Sequence, residues 1–177
     1  MNSSVVEALV IRPMLVADLD QVLAIDQASF ALPWPASAYR FELFENPSSQ
    51  LWVAQTQTAD GTTAVIGMSV VWLILDEAHI ATIAVHPDFR GQGIAQLLMS
   101  ASLVGAIRQG CTQATLEVRE SNWQAQRLYK RFRFQLAGVR PRYYRDNNED
   151  AWIMTVTNLG PEYLAWLESD GWKAPAG

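Results

Sequence analysis

The sharpest chemical signal in this 177-residue chain is a glycine turn, Arg90-Gly91-Gln92-Gly93-Ile94-Ala95, where a strand and loop deliver the backbone into a long helical segment. The first turn of a helix carries unpaired N–H groups and a partial positive charge, so an anion such as a diphosphate gains hydrogen bonds and dipole attraction there. Glycine allows close approach and backbone angles that other residues resist. The turn lacks the Gly-Lys-Ser/Thr ending of a P-loop, and Gln96 stands where a dinucleotide fingerprint has its third glycine. Taken alone, such a turn also serves as simple helix punctuation. A second signal is charge placement. Arg119 to Arg145 holds eight of the thirteen basic residues against one acid, Glu120, a local +7 within a net charge of -5. That asymmetry fits an anionic partner or a solvated basic face, and the acidic whole argues against direct nucleic-acid binding. Cys111 is the only cysteine and His79 and His86 the only histidines, which excludes an intrachain disulfide and leaves no zinc spacing; no metal is expected.

The elements that must position these groups are read from periodicity. Ala8 to Arg12 reads as a strand stopped by Pro13, and Ala17 to Phe30 as a helix with Leu19, Val22, Leu23, Ala28 and Phe30 near helical spacing. After Leu32-Pro33-Trp34-Pro35, Ser37 is placed to cap a second helix running to Glu45. Leu51 to Gln57 and Thr63 to Leu75 form a hairpin candidate around Asp60-Gly61, and Ala78 to Val85 a fourth strand. The long helix follows, with Ile94, Leu97, Leu98, Ala101, Val104 and Ile107 as its apolar stripe and Gly110 at its end. Ala114 to Val118 is a strand with Leu116 and Val118 on one face and Thr115 and Glu117 on the other. A helix from Asn122 to Phe132 and a hairpin of Phe134 to Arg145 and Ala151 to Thr157 complete a mixed α/β layer sandwich.

Length and composition fit one domain: half the residues are hydrophobic and 18% charged, enough apolar surface for a core. The longest apolar stretch, Ala64 to Leu75, falls well short of the roughly 20 residues that cross a bilayer. The opening MNSSVVEALVIRP has no secretion pattern, so a cytoplasmic protein without a membrane role is expected.

Val85-His86-Pro87-Asp88-Phe89-Arg90-Gly91-Gln92-Gly93-Ile94-Ala95 resembles the acetyl-CoA signature of the GNAT N-acetyltransferases, and the order of elements agrees with that family. Phe30 to Trp34, Asp76-Glu77-Ala78, Ile83-Ala84-Val85, Leu116 to Asn122, Leu128-Tyr129, Tyr143-Tyr144 and Glu149-Asp150-Ala151 together resemble its RimI branch, the ribosomal-protein-alanine N-acetyltransferases. The resemblance implies an α/β GNAT fold over residues 1–157, with a mixed, mostly antiparallel central sheet flanked by helices on both faces. Residues 158–177 form an extension in which Pro161 starts a helix with Tyr163, Leu164 and Leu167 on one face. It implies acetyl transfer from acetyl-CoA, by direct attack, to the α-amino group of a protein, a ribosomal protein starting with Ala. Glu117 would be the base and Tyr129 the acid that protonates the departing thiolate. Ile83, Ala84 and Val85 would pair with the pantetheine arm, Asn122 would hydrogen-bond it, and Arg90 to Gln96 would hold the diphosphate. Trp34, Tyr143 and Tyr144 would grip the substrate. From the residues alone, Glu117 reads equally as a surface carboxylate paired with Arg119, Asn122 as a helix cap, Tyr129 as a core aromatic and Cys111 as a packed hydrophobe. A GNAT acting on a small amine or lysine, and a non-catalytic acetyl-CoA or ribosome-binding module, are the alternatives. The family's short helix exits through glycine; here Arg133 stands at that place, and a left-handed conformation there costs about 1 kcal/mol.

Overall fold

The computed structural model describes residues 9–58 and 60–173. In chain order the elements are β1 (Val10–Pro13), α1 (Leu19–Ser29), α2 (Ala36–Phe44), β2 (Ser49–Gln57), β3 (Thr63–Ile74), β4 (Glu77–Val85), α3 (Ile94–Arg108), β5 (Gln113–Arg119), α4 (Trp123–Arg131), β6 (Gln135–Tyr144), β7 (Glu149–Val156) and α5 (Pro161–Glu168). The strands form one seven-stranded sheet in the order β1-β2-β3-β4-β5-β7-β6, so β7 is inserted between β5 and β6. Ala8, the start of the expected first strand, lies outside the described residues. Packing divides the chain into two compact units: one comprises the chain up to Val70 with Thr82–Ala101, the other Val71–Ala81 with the chain from Ser102 onward. β3, β4 and α3 each contribute residues to both units.

In the first unit, β1 pairs antiparallel with β2 from Val10↔Gln55 to Pro13↔Trp52. The buried face of α1 is Leu19, Val22, Ile25 and Asp26, while Ala28 and Phe30, expected on that face, are exposed. Spacing explains the correction: Leu19, Val22 and Ile25 each follow by three, whereas Ala28 lies in the last turn and Phe30 is the cap, where the chain turns extended. Ser37 is not the cap of α2; Pro35, with an extended backbone, precedes the first helical residue, Ala36. Ala54, Ile66, Val85, Ile94 and Leu98 form the core under the start of α3. Gly67 is needed there, since a Cβ would meet Leu98 at 3.0 Å and Ile94 at 3.2 Å. Along its full length α3 buries Ile94, Leu98, Met99, Ser102, Leu103 and Ala106, and leaves the expected Leu97, Ala101, Val104 and Ile107 half-buried. A helix apolar on nearly every side gives periodicity nothing to select.

In the second unit, β5 pairs in parallel with the start of β4, from Glu77↔Gln113 to His79↔Thr115, and antiparallel with β7. Its alternation holds: Ala114, Leu116 and Val118 are buried, and Thr115, Glu117 and Arg119 lie on the other face. Asn122 caps α4 by accepting the Ala125 N–H at 3.1 Å. The buried Gln126 donates to the carbonyls of Arg119 and Glu120, fixing α4 on the end of β5. Arg133 does take the left-handed conformation, at φ 65°. Its guanidinium lies 4.2 Å from the Trp166 ring of α5, the Tyr163 hydroxyl donates to the Phe132 carbonyl at 2.6 Å, and Phe132 stacks on Trp172. A cation over an aromatic ring contributes about 0.5–1 kcal/mol at a partly exposed site, enough to offset much of the backbone strain. Leu75, expected to close β3, lies beyond it at φ 57° and is fully exposed.

Candidate active site

The backbone at the start of α3 is built around two positive φ angles, Gly91 at 77° and Gly93 at 81°. A Cβ at Gly91 would meet nothing within 4 Å, so the requirement there is conformational, not steric. Gln96 and Leu97 donate to the Gly93 carbonyl, at 3.1 and 3.2 Å. Gln96, expected among the diphosphate donors, therefore has its amide engaged. The N–H groups of Gly91 through Ala95 have no protein acceptor among the described residues, which is the donor set a diphosphate requires. Arg90 braces the turn from beneath, donating through Nε to the Val85 carbonyl and through its terminal nitrogen to Ser29 Oγ, each at 3.0 Å. On β4, pairing with β5 ends at His79↔Thr115 and leaves Ile83, Ala84 and Val85 out of that ladder. A strand edge of this kind can pair with the amides of a pantetheine arm. The His86 N–H is held by the Ile66 carbonyl at 2.8 Å and is not free for an oxyanion. Trp34, also in the first unit, has its backbone N–H on Asp26 Oδ2 at 2.6 Å and its ring against Tyr39.

The second unit holds the acid–base groups. Glu117, whose side chain is 12% exposed, has Oε2 2.9 Å from His79 Nε2 and Oε1 3.4 Å from Arg140 Nε. The His79 hydrogen bond holds the carboxyl below its ordinary range; burial opposes this, and the charges of His79 and Arg140 add to it. Arg119 does not pair with Glu117. It bonds Asp146 at 2.8 Å and Glu149 at 3.2 Å and lies 3.9 Å over the Tyr144 ring. Tyr129 is buried on α4 against Phe134, and burial, then the nearby Tyr144, pushes its phenol well up. A phenol that keeps its proton is a ready donor to a thiolate. Asn122, expected to hydrogen-bond the pantetheine arm, is exposed at the cap; its amide nitrogen has no partner among the described residues. Tyr143 is half exposed and edge-on to Tyr144, whose phenol burial pushes up to about 12. Cys111 is buried with a raised thiol, chiefly from burial, as suits a packed hydrophobe.

Periodicity missed His79 and Arg140. The relevant signal was the parallel register that sets His79 beside Thr115, two residues before Glu117 on the same face of β5, and no local pattern encodes it. Among the described residues no group of three or more side chains suits a metal, and no helix is long and apolar enough to cross a membrane.

The Acetyltransferase (GNAT) family model matches residues 19–134, a span containing the glycine mouth, Glu117, Asn122 and Tyr129. This chain belongs to the GNAT family. As a GNAT protein it is an acetyl-CoA-dependent N-acetyltransferase. The GNAT chain is 39% identical over 147 residues, 83% of its length and 94% of the relative's, to a Bacillus subtilis (strain 168) protein whose name provisionally makes it a ribosomal protein bS18-alanine N-acetyltransferase. It is 32% identical over 141 residues, 78% of its own length and 90% of the relative's, to the Escherichia coli (strain K12) ribosomal protein bS18-alanine N-acetyltransferase. The crystal structure of the Escherichia coli ribosomal-protein-S18-alanine N-acetyltransferase superposes with a TM-score of 0.75 at 28% identity, covering 85% of this chain and 94% of that one. Ard1 from Thermoplasma volcanium superposes with a TM-score of 0.74 at 29% identity, covering 86% and 99%.

Proposed function

We propose that this N-acetyltransferase modifies the α-amino group of a protein, a ribosomal protein beginning with Ala, in the cytoplasm. The observation that carries this reading is the geometry at Glu117, whose two carboxylate oxygens face His79 at 2.9 Å and Arg140 at 3.4 Å. So engaged, the carboxylate is a weak base, matched to an amine that is already partly neutral. An α-amino group with pKa near 7.8 needs little help at pH 7, whereas a lysine near 10.4 needs about 3.5 kcal/mol more for deprotonation. Similarity to the bS18-alanine N-acetyltransferases supports the choice of protein substrate.

Acetyl-CoA supplies the activated acetyl thioester. The N–H groups of Gly91 to Ala95 hold its diphosphate, and Ile83 to Val85 and Asn122 hold the pantetheine arm. Tyr143 and Tyr144 grip the first residues of the substrate chain, and Trp34 is a further substrate-binding residue. The acid–base centre at Glu117 takes the amine's proton, and Tyr129 gives one to the departing sulfur. Incubation with acetyl-CoA and two peptides tests this: one with a free N-terminal Ala, the other α-blocked and containing lysine. Acetylation of the first alone is expected; acetylation of the lysine peptide at a comparable rate rejects the α-amine assignment. Mass spectrometry of N-termini newly acetylated in cell extract identifies the protein.

A further inference from the structure

Resting on the reading above, with Tyr144 as a substrate contact, we propose that Arg119 is the positioning residue of the substrate grip. It sets the Tyr144 ring and the turn between β6 and β7, and so acts on how the substrate chain is held, not on proton transfer. Arg119 closes β5 and shares a face with Glu117, yet it spends its guanidinium elsewhere. Nη2 donates to Asp146 Oδ1 at 2.8 Å, and Nη1 donates to Asn147 Oδ1 at 3.1 Å and to Glu149 Oε2 at 3.2 Å. Asp146 and Asn147 lie in the turn, and Glu149 is the first residue of β7. The same guanidinium lies 3.9 Å from the centroid of the Tyr144 ring, and Tyr144, the last residue of β6, is the strand partner of Glu149. One planar fork therefore holds both arms of the hairpin end and one of its rings. A flat cation with several divergent N–H groups can do this; the point charge of a lysine cannot.

The anchor is firm and the turn is not. The backbone of Arg119 is paired with Ala151 of β7, and its carbonyl accepts the Gln126 amide of α4 at 3.1 Å. Glu149 is fastened too, because its Oε1 accepts the Ser121 N–H at 2.7 Å, one residue before the cap of α4. Residues 145–148 are exposed, the β6–β7 register shifts between Arg140 and Tyr144, and Arg142 and Asn148 take left-handed angles of 50° and 56°. The Arg142 N–H is held by Asp150 Oδ1 at 2.7 Å. An arginine in that region is strained, and strain persists only where surrounding contacts over-determine the backbone. At the tyrosine end of the hairpin the Arg119 fork supplies most of those contacts. Its side chain is 25% exposed, so solvent does not fully screen the ion pairs it makes.

Arg119→Gln is the test. With an Ala-starting peptide and acetyl-CoA, the peptide KM is expected to rise about tenfold while kcat stays within about threefold of wild type, the pattern of lost substrate binding. Acetyl-CoA affinity by calorimetry should be unchanged. Arg119→Lys keeps the charge but not the fork, and its KM should remain at least about threefold above wild type. Tyr144→Leu should raise KM by itself, and adding Arg119→Gln to it should change KM by less than about threefold, because the arginine acts through that ring and its turn. A purely stabilising cluster would instead lower the melting temperature and leave the KM of the folded enzyme alone. A KM within about twofold of wild type in Arg119→Gln overturns the assignment, as does a fall in kcat larger than the rise in KM, or a double variant in which the two effects multiply. Two measurements hold even if Arg119→Gln fails to fold. Asp146→Asn, which loosens one exposed arm, should raise KM about threefold, and no rise overturns the proposal. In NMR of the wild type, the Arg119 methylene protons should be shifted upfield by the Tyr144 ring and should move when the peptide is added to the CoA-bound protein; resonances indifferent to the peptide refute the proposal. A wild type that acetylates no α-amine overturns the function reading and this inference together; an active wild type with an indifferent Arg119→Gln overturns this inference alone.

Discussion

The glycine mouth of α3 and the cluster around Glu117 do chemistry with different parts of the chain. At the mouth the working atoms are backbone N–H groups from Gly91 to Ala95, and the side chains matter through the angles they permit. Around Glu117 the working atoms sit at the ends of side chains from β4, β5 and β6, and each is tuned by a neighbour from another strand. The first region should therefore tolerate substitution wherever φ is negative, while the second should respond to single-atom changes.

The largest effect expected from breaking that contrast is at Tyr129. Tyr129→Phe removes one oxygen and should lower kcat by about 100-fold or more, with acetyl-CoA affinity by calorimetry nearly unchanged; undiminished turnover would remove the phenol from the reaction. At the mouth, Gly93→Ala forces a side chain onto φ 81° and should weaken acetyl-CoA binding about fivefold, corresponding to about 1 kcal/mol, whereas Gln92→Ala should bind normally. Equal losses in the two variants would mean that side chains, not amides, hold the ligand.

A smaller effect concerns pH. Glu149 is pulled down to about 2 by Ser121 first, then Asn147 and Arg119, and Glu117 is also lowered. Carboxyls with depressed folded-state values stabilise the protein above their unfolded values, near 4.3, and that contribution is lost as pH falls through the folded ones. The urea midpoint should therefore decline below about pH 4.5, and Glu149→Gln should flatten the decline. An unchanged slope in that variant would leave the Ser121-Arg119 contacts without energetic weight. The smallest effect is expected for Arg133→Gly, which relieves a φ of 65° but loses the contact with Trp166. The two changes nearly cancel, and the melting temperature should move by no more than a few degrees.

The same contrast explains what the sequence made legible. Backbone chemistry is written locally: glycines at 91 and 93 mark the turn, Asn122 marks a cap, and alternation in β5 sets Glu117 opposite Leu116 and Val118. Contacts between strands are not local. That Glu117 meets His79 and Arg140 instead of Arg119 depends on the β4–β5 register and on β7 lying between β5 and β6, which no periodicity within one segment records. The buried stripe on α3 is illegible for a different reason, since a helix apolar nearly all round offers no preferred side.

The segment after β7 has a bearing on turnover. Tyr163, Trp166 and Trp172 grasp the carboxyl end of α4 through Phe132 and Arg133, one turn from Tyr129. Shortening the chain behind Val156, or fusing a bulky tag close to Trp172, would loosen the lever on which the sulfur-protonating phenol is mounted. Catalytic speed would suffer before the rest of the molecule melts.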